Sequence, residues 1–226
     1  MQLVILCAGK GTRMGTDIPK VLLKIGGTTI LDYIVEQWRC VVDEMVFVVG
    51  HKKEAIIPQL PKGAKIIIQE EQLGIAHAIL QVEPSIKDRF IVMLGDCIYK
   101  GEFQPIPGDT KLGIGVWLSG SSQETTKNYL VKVRGNKVER VIEKPLEGIL
   151  NGLCGMGVYF FDKVVFDYIR TYSYLDITDI LQKMIDMGEE ITPVYFEGRY
   201  VNVTTPKDLR TAEGIVSDYK LPVECK

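Results

Sequence analysis

Lys10, Arg13 and Lys20 gather around Gly9 and Gly11, directly after the short apolar run 3–6. A buried strand ending in a glycine turn carries bare backbone N–H groups to a sheet edge, where a phosphate can reach them. The cations suit a triphosphate, whose oxygens gain charge as a leaving group departs. Two familiar phosphate loops are excluded. No G-x-x-x-x-G-K-[ST] string occurs, and the third glycine of G-x-G-x-x-G would fall on Met14. The strand after that would also need an acidic ribose partner, yet it ends in Gly50-His51-Lys52. The plainer reading is a loop that merely turns the chain beside surface cations. Asp96 follows a strand at the edge where open α/β sheets bind ligands, although an isolated Asp there also forms turns. No Ser-His-Asp or Cys-His arrangement stands out, and His77, inside a helical pattern, reads as structural.

These residues need elements to position them. Runs 3–6, 45–49, 65–69 and 90–94 read as buried strands. Between them lie helical stripes at 30–38, capped by Thr28-Thr29, at 55–60, and at 73–82. Strand and helix alternate through about the first hundred residues, which predicts a mostly parallel sheet with helices on both faces. The second half reads as strands 112–118, 129–133, 137–143 and 153–161, with Gly135-Asn136 as a hairpin turn. A helix over 177–187 follows, with Asp176 as N-cap and Asp179 placed for something close to a capping box. Strands near 192–196 and 200–203 precede a last helix opened by Thr205-Pro206. No repeat or linker interrupts residues 1–226, so one domain is expected.

The 226 residues include 27 Lys and Arg against 29 Asp and Glu, a net charge of -2. That balance offers no footprint for nucleic acid or an anionic membrane, so any phosphate-binding charge must be local. No apolar run approaches a membrane span. The five cysteines are dispersed without a C-x-x-C pair; Cys7, Cys97 and Cys154 read as small core residues, and a reduced, cytoplasmic setting is expected.

The string L-C-A-G-K-G-T-R-M (6–14), then P-K-V-L-L-K-I-G-G (19–27), resembles the opening signature of the sugar-1-phosphate nucleotidyltransferases. Glucose-1-phosphate thymidylyltransferases and N-acetylglucosamine-1-phosphate uridylyltransferases are familiar members. The likeness continues in order through Q-E-E-Q-L-G-I-A-H-A (69–78), L-G-D (94–96), I-E-K-P (142–145), G-V-Y-F-F-D (157–162), I-T-D (177–179) and Y-V-N-V-T-T-P-K-D-L (200–209). The resemblance implies a Rossmann-like three-layer α/β/α fold with a mixed, mostly parallel central sheet. Residues 1–110 would form a nucleotide-binding half and 111–226 a sugar-phosphate-binding half.

It also implies roles. The substrates would be a nucleoside triphosphate and a sugar 1-phosphate, and the cofactor Mg²⁺. Leu6, Ala8, Gly9, Gly11 and Thr12 would hold base and phosphates. Arg13 and Lys20 would neutralise the triphosphate and, with Asp96, form the catalytic set. Gln69, helped by Gly74, would read a uracil or thymine edge, since an amide offers a donor and an acceptor together. Asp96 and Asn202 would hold the metal, and Glu143, Lys144 and Gly157 the sugar phosphate. Taken alone, Gln69 is a strand-end glutamine and Glu143-Lys144 a solvated strand end. A sugar phosphate is already an anion, so the chemistry needs no activated nucleophile.

Some positions depart from the family pattern. Leu130 replaces a frequent glycine, Gly155-Met156-Gly157 stands where uridylyltransferases commonly read N-T-G, and Ile75 replaces a threonine. Asn202 matches the uridylyltransferases rather than the aspartate of the thymidylyltransferases. The acceptor therefore stays open between a sugar phosphate and a phosphorylated non-sugar alcohol. The repeat-rich extension of bifunctional relatives is missing, so only the transferase half of their chemistry is expected. The competing readings are a cytidylyltransferase of a small alcohol phosphate and a nucleotide-sugar-binding regulator without turnover.

Overall fold

The computed structural model describes residues 1–108, 110–173 and 176–217. The first apolar run forms β1 (Gln2–Cys7), in which Leu3, Val4 and Ile5 are fully buried. Burial on both faces is what a central parallel strand requires. β2 (Lys24–Ile25) and β3 (Thr28–Thr29), a small hairpin not anticipated from sequence, lead into α1 (Ile30–Trp38). Thr29 caps that helix as expected, its Oγ1 accepting from the Asp32 amide at 3.0 Å. β4 (Glu44–Val49), α2 (Lys53–Ile56), β5 (Lys65–Ile68), α3 (Ile75–Gln81) and β6 (Phe90–Leu94) follow. β4 and β6 flank β1, both parallel to it, and β5 lies parallel outside β4.

β7 (Cys97–Phe103) comes next, followed by β8 (Leu112–Leu118), α4 (Ser122–Lys127), β9 (Leu130–Arg134), β10 (Lys137–Ile142) and β11 (Leu153–Phe161). Then come α5 (Val164–Tyr172), α6 (Ile177–Asp186), β12 (Ile191–Asn202) and α7 (Pro206–Val216). The main path of the sheet runs β5-β4-β1-β6-β11-β8-β12-β7, and β9 carries β10 at its contact with β11. Along that path β1, β4, β5, β6, β8 and β12 point one way and only β7 and β11 the other, so the sheet is mixed and mostly parallel as expected.

Two core clusters cover its opposite faces. Leu3, Ile5 and Cys7 of β1 pack with α1 and α7, while Val4 packs with α3, α5 and α6. The period-two alternation of a strand thus builds a three-layer molecule.

Besides that hairpin, β7, α4 and α5 were not anticipated. The strands expected near 192–196 and 200–203 are one continuous strand. At its middle Gly198 pairs with Gly101 of β7, and a Cβ on Gly101 would lie 2.1 Å from the Glu197 carbonyl oxygen. The glycine break is therefore a close strand crossing rather than an end. Asp176 caps α6, but the full capping box forms at α7, between Thr205 and Asp208. Cys7, Cys97 and Cys154 are buried free thiols, as read from sequence. No helix among the described residues is long and apolar enough to cross a membrane.

Candidate active site

The C-terminal ends of β1, β5 and β6 open on a cavity of about 450 Å³, lined by residues 6–13, 19–21 and 94–96 together with Gln69, Gln72, Gly74, Ile75, Ala78 and Thr204. This is the edge where an open α/β sheet leaves room for a ligand. Leu6, Ala8, Gly9, Gly11, Thr12, Arg13, Lys20, Gln69, Gly74 and Asp96 all line it.

The loop after β1 owes its path to Gly11, whose φ of 59° is left-handed and opens a single turn over Thr12–Met14. Met14 is buried beneath that turn, which leaves Thr12 and Arg13 exposed at the cavity. Lys20 reaches across to the loop after β6, where its Nζ lies 2.6 Å from Asp96 Oδ2. Both side chains are mostly buried, so the pair is more than a surface contact. Asp96 is held by Gly95, whose amide donates to the Leu6 carbonyl at 2.9 Å.

A Cβ on Gly95 would stand 2.6 Å from that same carbonyl oxygen and 3.0 Å from Val21. Gly95→Ala is therefore expected to destabilise by ~1–3 kcal/mol through overpacking. A thermal melt should show the midpoint falling by about 2–4 °C per kcal/mol. An unchanged midpoint would mean that the two loops are not packed this closely.

Gln69 is only 3% exposed. Its Nε2 lies 3.3 Å from the Gly74 carbonyl and 2.9 Å from His77 Nδ1. Gln72 folds back on the same segment, its amide donating to the Gln69 carbonyl at 2.9 Å. His77 and Gln72 thus support the cavity although neither was assigned to it from sequence. The i+8 spacing from Gln69 to His77 crosses a strand end and a helix start, so no single periodicity connects them.

Asn202 is brought near Asp96 by backbone pairing rather than by the cavity wall. It stands opposite Cys97 in the β12–β7 register, and the Val203 amide donates to the Asp96 carbonyl at 2.8 Å. Its Oδ1 lies 3.5 Å from Thr204 Oγ1, and Thr204 lines the cavity. Among the described residues no three His, Cys, Asp or Glu side chains stand together as a metal cage. One carboxylate with one amide oxygen nearby fits an ion such as Mg²⁺, which takes few protein oxygens and completes its shell with phosphate and water.

The residues assigned to the sugar phosphate are not among the cavity walls. Glu143 and Lys144 are exposed and pair with each other at 2.8 Å. Gly157 lies against the cavity from behind, since a Cβ there would meet Leu94 and the Cys97 sulfur. Its amide donates to the Tyr200 hydroxyl at 3.3 Å. Leu130 and Met156, two departures from the family pattern, are both buried in the core. Gly155 is demanded by Tyr129, whose ring would lie 1.8 Å from an added Cβ. The thiols offer no nucleophile. Burial, then the charge of Asp96, pushes Cys7 up to about 12, and the same two causes push Cys97 up as well.

Comparison with known proteins bears on the family and the fold. The nucleotidyl transferase family model matches residues 2–217. The bifunctional protein GlmU of Methanococcus maripaludis is 32% identical over 94% of this chain, which spans about half (53%) of that relative's length. The UTP–glucose-1-phosphate uridylyltransferase AglF of Haloferax volcanii is 30% identical over 94% of this chain and 95% of its own. Among solved structures, a putative glucose-1-phosphate thymidylyltransferase of Bacillus anthracis superposes with a TM-score of 0.84 over 98% of this chain and 97% of its own at 22% identity, a likeness of fold.

Proposed function

The chain belongs to the nucleotidyl transferase family, and on that premise we propose that it makes a nucleoside-diphosphate sugar. A nucleotidyl group passes from a nucleoside triphosphate, UTP or dTTP in preference, to a sugar 1-phosphate. The observation that carries the reading is the convergence of the cationic loop, Gln69 and Asp96 on one cavity at the strand ends.

In this reading a phosphate oxygen of the sugar attacks the α-phosphorus. A new P–O bond forms as the α–β anhydride bond breaks, and pyrophosphate leaves with the electron pair. Backbone groups from Leu6 to Gly11 hold the nucleotide, and Arg13 and Lys20 balance charge that grows on the phosphates. Mg²⁺, held by Asp96 and Asn202 with phosphate oxygens, would supply further neutralisation and alignment. Glu143, Lys144 and Gly157 would engage the sugar phosphate. Gln69 would pair with the pyrimidine edge.

The test is a pyrophosphate-release screen of UTP, dTTP, CTP, GTP and ATP against a panel of sugar 1-phosphates and small alcohol phosphates. The expected result is turnover with UTP or dTTP and a sugar 1-phosphate, with purine nucleotides far behind. Gln69→Ala should blur that preference by ~1–3 kcal/mol, the cost of leaving a polar edge unpaired. Preference for GTP would overturn the base assignment. Turnover only with an alcohol phosphate would correct the acceptor, and no release with any pair would favour the regulator.

A further inference from the structure

An amide that reads a base can do so in two orientations, offering either its oxygen or its nitrogen. The surroundings of Gln69 fix one of them. The Gly74 carbonyl can only accept, so the amide atom 3.3 Å from it must be the nitrogen. The second proton of that nitrogen points to His77 Nδ1 at 2.9 Å, which must then be the accepting ring nitrogen. The ring's own proton then sits on Nε2, 3.1 Å from the Gln81 side-chain nitrogen, and that amide turned end for end presents its oxygen to the proton. His77 and Gln81 are four residues apart on α3 and share one face of it. With the Gln81 amide in that orientation, Gly74, Gln69, His77 and Gln81 form a relay with a single direction, and both protons of the buried Gln69 amide are spent within the protein.

We propose that His77 is a positioning residue for base choice, locking Gln69 so that only its Oε1 faces the nucleotide. The inference rests on the pairing of Gln69 with the base proposed above. A fixed acceptor matches the protonated N3 of uracil or thymine. It meets the lone pair on N3 of cytosine as one acceptor against another, and a locked amide cannot turn to relieve that clash. An unlocked amide can, by presenting its nitrogen. The relay therefore acts more against CTP than in favour of UTP, which is how a specificity device excludes a near relative of its substrate.

The experiment measures KM and kcat for UTP and CTP in the wild type, Gln69→Ala, His77→Phe, His77→Asn and Gln81→Leu, with thermal melts to verify folding. His77→Phe removes the acceptor and should shrink the UTP-over-CTP ratio by about tenfold, the scale of one buried hydrogen bond, through KM with kcat for UTP nearly kept. His77→Asn retains an acceptor oxygen and should restore most of the ratio. Gln81→Leu frees the ring from its far side and should move the ratio the same way by less. An unchanged ratio in Gln69→Ala overturns the base reading itself. A ratio that collapses in Gln69→Ala but survives in both His77→Phe and Gln81→Leu overturns the lock alone. Loss of kcat without change in the ratio would assign His77 to structure only.

Discussion

Lys20→Ala is expected to lower kcat by about 10²–10³ with the fold kept, the usual cost of removing one charge placed where the transition state gains it. Lys20 follows Pro19 at the start of a short turn, and Val21 is buried beneath it. The side chain is thereby anchored at its base and projects over the cavity to Asp96. Truncation leaves Asp96 without this partner, but that carboxylate keeps partial contact with water. The stability cost should therefore stay well below that of a fully buried orphan charge. The two effects separate in measurement: single-turnover rates at saturating substrates should fall by the stated factor, while circular dichroism melts shift by a few degrees. Near-wild-type turnover would remove the cationic loop from the chemistry. Arginine at this position is not a neutral replacement, since a planar fork cannot occupy the place of a compact ammonium without displacing Asp96.

The parts of the fold that could be read from sequence are those where one local rule decides. β1, β4 and β6 are unbroken apolar runs, and only burial on both faces suits such a pattern. α1 and α7 announce their starts through Thr29 and Thr205. α5 could not be read this way. Its sequence V-V-F-D-Y-I-R-T-Y is rich in β-branched and aromatic residues, which locally favour a strand. What makes it a helix is tertiary: Val165, Phe166 and Ile169 seat on the sheet, and Phe166 stacks on Phe90 with centroids 5.4 Å apart. β7 is likewise a product of its partner. Only pairing with β12, with Phe196 lying over the Gly101–Gly198 crossing, gives it a register.

The candidate site divides along the same line. Arg13, Lys20 and Asp96 sit in short ordered motifs, so residue type and position together point to them. The support of Gln69 by His77 depends on a loop, Gln69 to Gly74, that folds a strand end against a helix start. Asn202 nears Asp96 through the register of two strands, one of them not foreseen. Glu143 and Lys144 lie outside the cavity walls, so their assignment still rests on the likeness of I-E-K-P.

That register also sets the expectation with the largest effect. Asp96→Asn should bring turnover below detection at any Mg²⁺ concentration, and Asn202→Asp should keep it. Cys97 opposite Asn202, and the Val203 amide on the Asp96 carbonyl, fix the two residues at neighbouring strand ends. Among the described residues Asp96 is the carboxylate that lines the cavity. Replacing it with an amide leaves two neutral oxygens, while Lys20 remains as an uncompensated cation on the same spot. Both changes oppose a divalent ion there, and the phosphate oxygens that complete its shell do not replace the missing protein charge. Asn202→Asp changes the charge in the other direction and should tighten the metal requirement, so that half-maximal turnover is reached at lower Mg²⁺. Activity of the wild type should vanish in chelator and return with added Mg²⁺. The measurement is a Mg²⁺ titration of turnover for the three proteins, joined to Mn²⁺ binding by electron paramagnetic resonance with and without nucleotide. Wild-type binding should need nucleotide, because one protein charge holds the ion weakly. Normal turnover of Asp96→Asn at saturating Mg²⁺ would take Asp96 out of the metal site, and the pairing with Lys20 would then stand as a structural contact between two loops.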